Sequence, residues 1–129
     1  MRGLGLSALA IGAVLMTGTA AFAQSAPAKT GDSAKGKVLT DAKGMTLYVF
    51  DKDSGGKSAC NGQCATNWPP LMAAAGAKAE GSYTVVTRDD GAKQWAYKGK
   101  PLYTWKNDKK AGDITGDGVA NNAWHIAKP

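Results

Sequence analysis

Two ten-residue stretches decide the fold: GMTLYVFDKD at residues 44–53 and GKPLYTWKND at residues 99–108. Both contain a glycine, a leucine, a tyrosine, a second aromatic residue and an aspartate, and each shared position recurs after 55 residues. Recurrence at one fixed offset indicates an internal repeat. The sequence therefore predicts two related half-domains whose strands are pseudo-equivalent and related by an approximate twofold axis.

Short apolar and aromatic segments, separated by glycine-rich turns, surround the two stretches. The predicted strands are 38–40, 45–50, 82–87, 94–97, 101–105 and 124–126. Helical periodicity is limited to a turn or two at 59–66 and 71–75. Strands at this spacing favour an all-β fold, here a small antiparallel β domain of two related repeats with one short helical turn near the cysteines.

The composition and the N-terminal stretch limit the class of protein. A chain of 129 residues with 43% hydrophobic and 20% charged residues can form one domain, which excludes multidomain enzymes and dinucleotide-binding folds. Residues 1–23 resemble a signal peptide, because an uncharged run ends in Ala-Phe-Ala. Residues 24–35 are polar and are predicted to be a flexible leader, and 36–129 a single domain. No later apolar run is long enough to span a bilayer. We expect a periplasmic or secreted protein.

Each repeat places two aromatic residues on one strand face, because residues i and i+2 point to the same side. These pairs are Tyr48 with Phe50 and Tyr103 with Trp105. An aspartate, Asp53 or Asp108, follows each strand. The favoured interpretation is that the rings fill the core and each carboxylate accepts N–H groups of a turn. The alternative is a binding platform for a sugar ring or a cation.

The Y-x-(F/W)-x-x-D pattern of both copies resembles that of bacterial secreted repeat proteins, often described as predicted lipoproteins. The resemblance covers roughly residues 37–129, including the segment from Cys60 to Leu71 and the glycine-rich stretch before Trp124. It implies a secreted two-repeat domain and no defined chemistry. Many members are lipoproteins, but residue 24 is glutamine rather than the cysteine that lipidation needs. We therefore expect no lipid anchor.

Cys60 and Cys64 are both in the predicted exported part of the chain. An even number of closely spaced cysteines in an oxidising compartment favours a disulfide. We expect this bond to stabilise a local turn. The alternatives are redox activity, for which C-x-x-x-C is not the usual spacing, and thiolate binding of a metal.

Candidate metal ligands are few. His125 is the single histidine, and we expect it to face solvent or to cap the sheet. A copper site would need it together with Met45 or Met72 and a free thiolate. Asp113 and Asp117 imitate the start of a calcium loop, but the required late glutamate is missing, so a glycine-rich turn is favoured. As a hydrolase base, His125 would lack a recognisable nucleophile motif.

The net charge of +6 comes from lysines dispersed along the chain. In an exported protein, nucleic acid is an improbable partner, and anionic envelope polymers or glycans are the available ones. We therefore expect an exported envelope protein that acts by binding or as a structural module, without a cofactor and without catalysis. A periplasmic redox or copper-handling accessory is the alternative, and a hydrolase is the third possibility.

Overall fold

The computed structural model describes residues 27–129. The predicted signal peptide and the first part of the predicted leader lie outside these residues. Short strands dominate the described part of the chain. They are β1 (Lys29–Ser33), β2 (Gly36–Thr40), β3 (Tyr48–Phe50), β4 (Tyr83–Thr87), β5 (Lys93–Tyr97), β6 (Lys100–Pro101) and β7 (Trp124–Ile126). The helices in this part are α1 (Gln63–Asn67), which contains Cys64, and the short turn α2 (Val119–Asn122), in which residues 120–122 have left-handed backbone angles.

All strand pairs in the described residues are antiparallel. β1 pairs with β2, β3 pairs with β7, and β5 lies between β4 and β6. The β3–β7 pair joins the first repeat to the end of the chain, with Val49 opposite His125. The prediction of an antiparallel β domain with a short helix beside the cysteines is confirmed.

Matching backbone hydrogen bonds relate the two halves. In each half, three residues from separate segments are joined in a cycle of N–H to carbonyl bonds of 2.8–3.0 Å. The residues are Leu39, Leu47 and Ala127 in the first half, and Trp95, Leu102 and Leu71 in the second. Equivalent residues are 55 or 56 positions apart. The halves therefore have the same local architecture, as expected for two copies of one repeat.

Within residues 27–129, the buried side chains form two core clusters. One contains Tyr48, Tyr103, Trp68 and Trp124, and the other is built around Leu39, Leu47, Leu102 and Ala127. Leu47 and Leu102, the leucines of the two motifs, are fully buried. Each motif thus contributes its tyrosine to one cluster and its leucine to the other, as the alternation of a strand requires.

The structure differs from the sequence prediction for part of the leader. Residues 29–33 form β1, which pairs with β2 across a tight turn, with Ser33 opposite Gly36. β1 has mostly exposed side chains, so it lacks the apolar alternation by which a strand is recognised. It is ordered because its backbone pairs with β2, and because Ala28 just before it is buried in the second core cluster.

The helical turn predicted at 71–75 is absent. Leu71 is instead extended, and its N–H donates to the carbonyl of Leu102 while its carbonyl accepts the N–H of Trp95. This segment is the counterpart of the end of β7 in the other half. The alanines at 73–75 have high helix propensity, but pairing of the neighbouring backbone with β5 and residue 102 decides the conformation.

Candidate functional site

The tyrosines of the two motifs, Tyr48 and Tyr103, face each other at the centre of the fold. The Tyr48 N–H donates to the Tyr103 carbonyl at 2.8 Å, and the Tyr103 N–H donates back to the Tyr48 carbonyl at 3.0 Å. Neither residue has any solvent exposure. These two residues, hereafter the motif tyrosines, join the halves where the pseudo-twofold axis passes.

Each phenol donates a hydrogen bond to the aspartate of the other repeat. Tyr48 Oη lies 2.6 Å from Asp108 Oδ2, and Tyr103 Oη lies 2.6 Å from Asp53 Oδ2. Burial, reinforced by these carboxylates, raises the pKa of both phenols well above the ordinary value of 10.0. Both therefore remain protonated donors at any physiological pH. The two motif copies interlock through four side chains.

The second carboxylate oxygen of each aspartate fastens the loop that follows. Asp53 Oδ1 accepts the N–H of Ala59 at 2.7 Å. Asp108 Oδ1 accepts the N–H and the hydroxyl of Thr115 at 2.9 and 2.6 Å. Burial raises the pKa of Asp53, while the N–H of Ala59 and the Tyr103 hydroxyl act in the opposite direction. The contacts support the predicted turn-fastening role, and they add a link across the repeats that the sequence did not indicate.

Four aromatic rings form a stacked column in the order Phe50, Trp124, Trp68 and Trp105. Successive ring centroids are 4.1, 3.7 and 4.0 Å apart, and the two central indoles are almost parallel, at 1°. Tyr48 contacts Trp68 edge-on, and Tyr103 contacts Trp124 in the same way. The column is symmetric about the same axis. Because the rings cover one another, the geometry supports a core role for the motif aromatics.

Trp68 and Trp124 are a repeated pair that the sequence analysis did not recognise. They are 56 positions apart rather than 55, so a single fixed offset misses them. Both are buried, with exposures of 4% and 2%. Allowing one inserted residue after the motif would have aligned them. The repeat therefore extends beyond the ten-residue stretches to a second buried aromatic residue.

The cysteine pair forms the predicted disulfide, with an S–S distance of 2.01 Å. Next to it lies a buried cation that the sequence analysis missed, Arg88, which is only 4% exposed. Its guanidinium donates to the Cys60 carbonyl at 2.6 Å, to Ser58 Oγ at 3.0 Å and to Gln94 Oε1 at 2.8 Å. Ser58 Oγ also lies 2.6 Å from the Tyr103 hydroxyl. The disulfide loop is thus connected to the interlocked core.

The candidate metal ligands are separated and engaged in other contacts. His125 Nε2 lies 2.9 Å from Asp51 Oδ2. Lys35 lies 2.6 Å from Asp117 and lowers the pKa of that carboxyl. Asp113 accepts the N–H groups of residues 109 and 110, and the first of these is the main cause of its lowered pKa. Within residues 27–129 no three His, Cys, Asp or Glu side chains are grouped as metal ligands. The copper hypothesis also required a thiolate, and both cysteines are disulfide-bonded.

One concave surface of the described residues, which we call the basic cleft, has a volume of about 320 Å³. It is formed by β3, by the end of β7 and by the turn between β5 and β6. Its lining residues are Val49, Asp51, Tyr97, Lys98, Lys100, His125, Ile126, Ala127 and Lys128. A smaller hollow of about 100 Å³ adjoins it and shares Val49, Asp51 and Lys100. Three lysines, one histidine and one aspartate therefore surround a partly apolar floor.

The lysines of the cleft have no ion-pair partner in the part of the chain that the structure describes. Among residues 27–129, no carboxylate lies within 4.0 Å of Lys98, Lys100 or Lys128. The Lys128 ammonium donates to the carbonyl of Lys35, and the Lys98 ammonium lies 5.2 Å from the centroid of the Tyr97 ring. The acidic group of the cleft, Asp51, contacts His125 instead. The cleft is consequently a site of positive potential.

The Asp51–His125 pair of the cleft belongs to one half of the molecule only. Asp51 corresponds to Lys106, because their N–H groups make matching bonds to the carbonyls of residues 123 and 67. By the same alignment, His125 corresponds to Pro69. The Asp–His pair is therefore absent from the second half, although the core contacts are present in both halves. The fold does not require the chemistry of the cleft, which marks it as the candidate functional site.

Comparison with known proteins identifies the repeat. A family model described as "Secreted repeat of unknown function" matches residues 29–72 and, a second time, residues 84–128. No curated protein and no solved structure matches the chain. In the part of the chain that the structure describes, no helix is long and apolar enough to cross a membrane. The two matched segments are the two copies of the repeat, and each copy contributes its last segment, at Leu71 or Ala127, to the other half of the fold. The chain therefore belongs to this family of secreted repeats.

Proposed function

We propose that the protein is a non-catalytic binding module of the cell envelope whose ligand is anionic and occupies the basic cleft. One observation carries the proposal: three lysines converge on one cleft, and none of them has a carboxylate partner among the described residues. Positive charge that is focused in a concavity attracts anions more strongly than the same charge spread over a surface.

The motif residues support this assignment by their engagement elsewhere. Both motif tyrosines are fully buried, and both aspartates are committed to phenol and loop hydrogen bonds. The repeated pattern therefore builds the scaffold. Ligand chemistry is left to residues outside the motif pattern, of which Asp51, His125 and Lys128 differ from their counterparts in the other half. In an exported protein the abundant anionic ligands are envelope polymers and acidic glycans.

Binding of a polyanion, such as a polyuronate or a polyphosphate, can be measured by isothermal titration calorimetry at low ionic strength. The test variant is Lys98→Gln/Lys100→Gln/Lys128→Gln. Its matched control is Lys29→Gln/Lys43→Gln/Lys78→Gln, which removes the same charge from exposed positions outside the cleft. We expect the first variant to lose at least tenfold in affinity and the control to lose little.

Equal losses in the two triple variants would show that only the overall charge matters, and would refute a site in the cleft. No binding of either polyanion to the unmodified protein would refute the proposal itself. Thermal melts of both variants verify folding. All six substituted lysines are surface residues, so their melting temperatures should be similar.

A further inference from the structure

The basic cleft contains more than cations, and its other groups restrict the ligand further; this step rests on the function proposed above. Asp51 is 59% exposed at its side chain, and its Oδ2 contacts His125, which is 43% exposed. A cleft that selected simple anions would gain nothing from an exposed carboxylate, because that carboxylate repels them. Asp51 therefore indicates a ligand that also presents hydrogen-bond donors.

The apolar part of the cleft indicates what carries those donors. Ile126 and Ala127 are 7% and 3% exposed, and together with Val49 they form a floor next to the ring of Tyr97. Tyr97 is backed by Tyr83, with ring centroids 5.0 Å apart. A sugar ring has C–H groups that suit an apolar and aromatic wall, and hydroxyl groups that suit a carboxylate–imidazole pair.

We infer that the basic cleft binds an acidic sugar, with its carboxylate or phosphate group on the lysines and its hydroxyl groups on the Asp51–His125 pair. The volume of about 320 Å³ is at the small end of ligand sites, which are typically about 300–1,000 Å³. A short segment of an acidic glycan fits this description. A bare anion would contact only the lysines, and a neutral sugar would contact only the Asp51–His125 pair and the apolar floor.

The second half of the molecule supplies an internal comparison. The position of Asp51 is occupied there by Lys106, and that of His125 by Pro69, so the acceptor pair is missing where the scaffold is the same. Lys128 corresponds to Met72, which is exposed to 53%. The Asp51–His125 pair and Lys128 therefore have no chemically equivalent counterparts in the second half, and one ligand is expected for each chain.

The test is a calorimetric comparison of four probes: galacturonate, galactose 6-phosphate, neutral galactose and inorganic phosphate. The two acidic sugars, or a trimer of galacturonate if the monomer is weak, should bind at least tenfold more tightly than galactose and inorganic phosphate. The difference between galacturonate and galactose 6-phosphate decides which anionic group the lysines prefer.

Asp51→Ala tests the contribution of the Asp51–His125 pair separately from that of the lysines. We expect it to weaken the acidic sugars at least fivefold, and to leave inorganic phosphate unchanged or bound more tightly. Asp32→Ala is the matched control, because Asp32 is equally charged, is 81% exposed at its side chain and lies outside the cleft. It should change neither ligand by more than twofold.

Phosphate binding as tightly as the acidic sugars would overturn this inference while leaving the anionic site intact. Galactose binding as tightly as galacturonate would also overturn the inference, because the anionic group would then contribute nothing to affinity. Failure of all anionic probes, polyanions included, would instead remove the proposed function on which the inference rests.

Discussion

The hydrogen bonds that cross between the repeats permit a sharp test by a double-mutant cycle. Tyr48→Phe removes the hydroxyl that donates to Asp108 at 2.6 Å and that also accepts the N–H of Gly116 at 3.3 Å. The phenol is fully buried, so water cannot replace these contacts. A hydrogen bond to a charged group contributes about 1.5–3 kcal/mol, and we expect a loss of that size in the free energy of unfolding.

The cycle combines Tyr48→Phe with Asp108→Asn and compares it with the combination of Tyr48→Phe and Asp53→Asn. The sequence motif places Tyr48 and Asp53 in the same copy, whereas the structure pairs Tyr48 with the aspartate of the other copy. We therefore expect a coupling energy of about 1–2 kcal/mol for Tyr48 with Asp108 and less than about 0.5 kcal/mol for Tyr48 with Asp53.

Urea unfolding followed by tryptophan fluorescence and by far-ultraviolet circular dichroism measures both couplings. Tyr83→Phe is the matched control, since this ring is partly exposed and retains its packing against Tyr97 without the hydroxyl. It should change stability by less than about 0.5 kcal/mol. The interlocked arrangement is refuted if the coupling with Asp53 equals or exceeds that with Asp108.

Three further predictions follow from the same core. The folded-state pKa of both motif tyrosines is above the unfolded value of 10.0, so the folded state binds more protons above that pH. The free energy of unfolding should therefore fall with a slope that increases from about 1.4 kcal/mol per pH unit at pH 10 toward about 2.7 kcal/mol per pH unit at higher pH. Urea melts between pH 9 and 11.5 check this, and a flat profile would contradict it. Trp124→Ala should cost about 3–5 kcal/mol and Trp105→Ala less, because Trp124 is stacked on both faces and Trp105 on one; equal costs in denaturant melts would argue against the column. Replacing Cys60 and Cys64 by alanine should cost about 2 kcal/mol without unfolding the protein, as for a short closed loop, and loss of cooperative unfolding would contradict a merely local role.

Much of the fold was predictable because the repeat can be recognised from two short, similar stretches of sequence. The recurrence of Leu47 and Tyr48 at Leu102 and Tyr103 indicated two equivalent strands, and strand alternation then predicted which side chains are buried. What could not be predicted is how the copies contact each other. Tyr48 lies five residues before Asp53 in sequence, yet it donates its hydrogen bond to Asp108 of the other copy. The sequence does not indicate this partner, because it depends on how the two halves are arranged in space.

Three features, namely β1, Arg88 and the basic cleft, were not predicted because they depend on contacts that leave no pattern in the local sequence. β1 has few apolar residues, and its order comes from backbone pairing, which leaves no periodic signal. Arg88 resembles any charged turn residue until the Cys60 carbonyl and Ser58 are brought to it from a distant segment. The basic cleft is assembled from parts of β3, β7 and the β5–β6 turn. Such sites combine single residues from separate segments, so no motif describes them.

A duplicated fold nevertheless offers a criterion that a single sequence can supply. Residues that recur in both copies with the same contacts, such as the motif tyrosines, are those that the scaffold needs. Where equivalent positions differ in chemistry, as Asp51 and Lys106 do, the scaffold tolerates either residue. Function can therefore determine which residue occupies such a position. In this protein three such positions, those of Asp51, His125 and Lys128, lie in the basic cleft. Exchanging the pair, by Asp51→Lys with Lys106→Asp, should therefore leave the free energy of unfolding within about 0.5 kcal/mol while abolishing binding of acidic sugars. A large loss of stability would instead show that Asp51 belongs to the scaffold, and would remove the reason for placing function there.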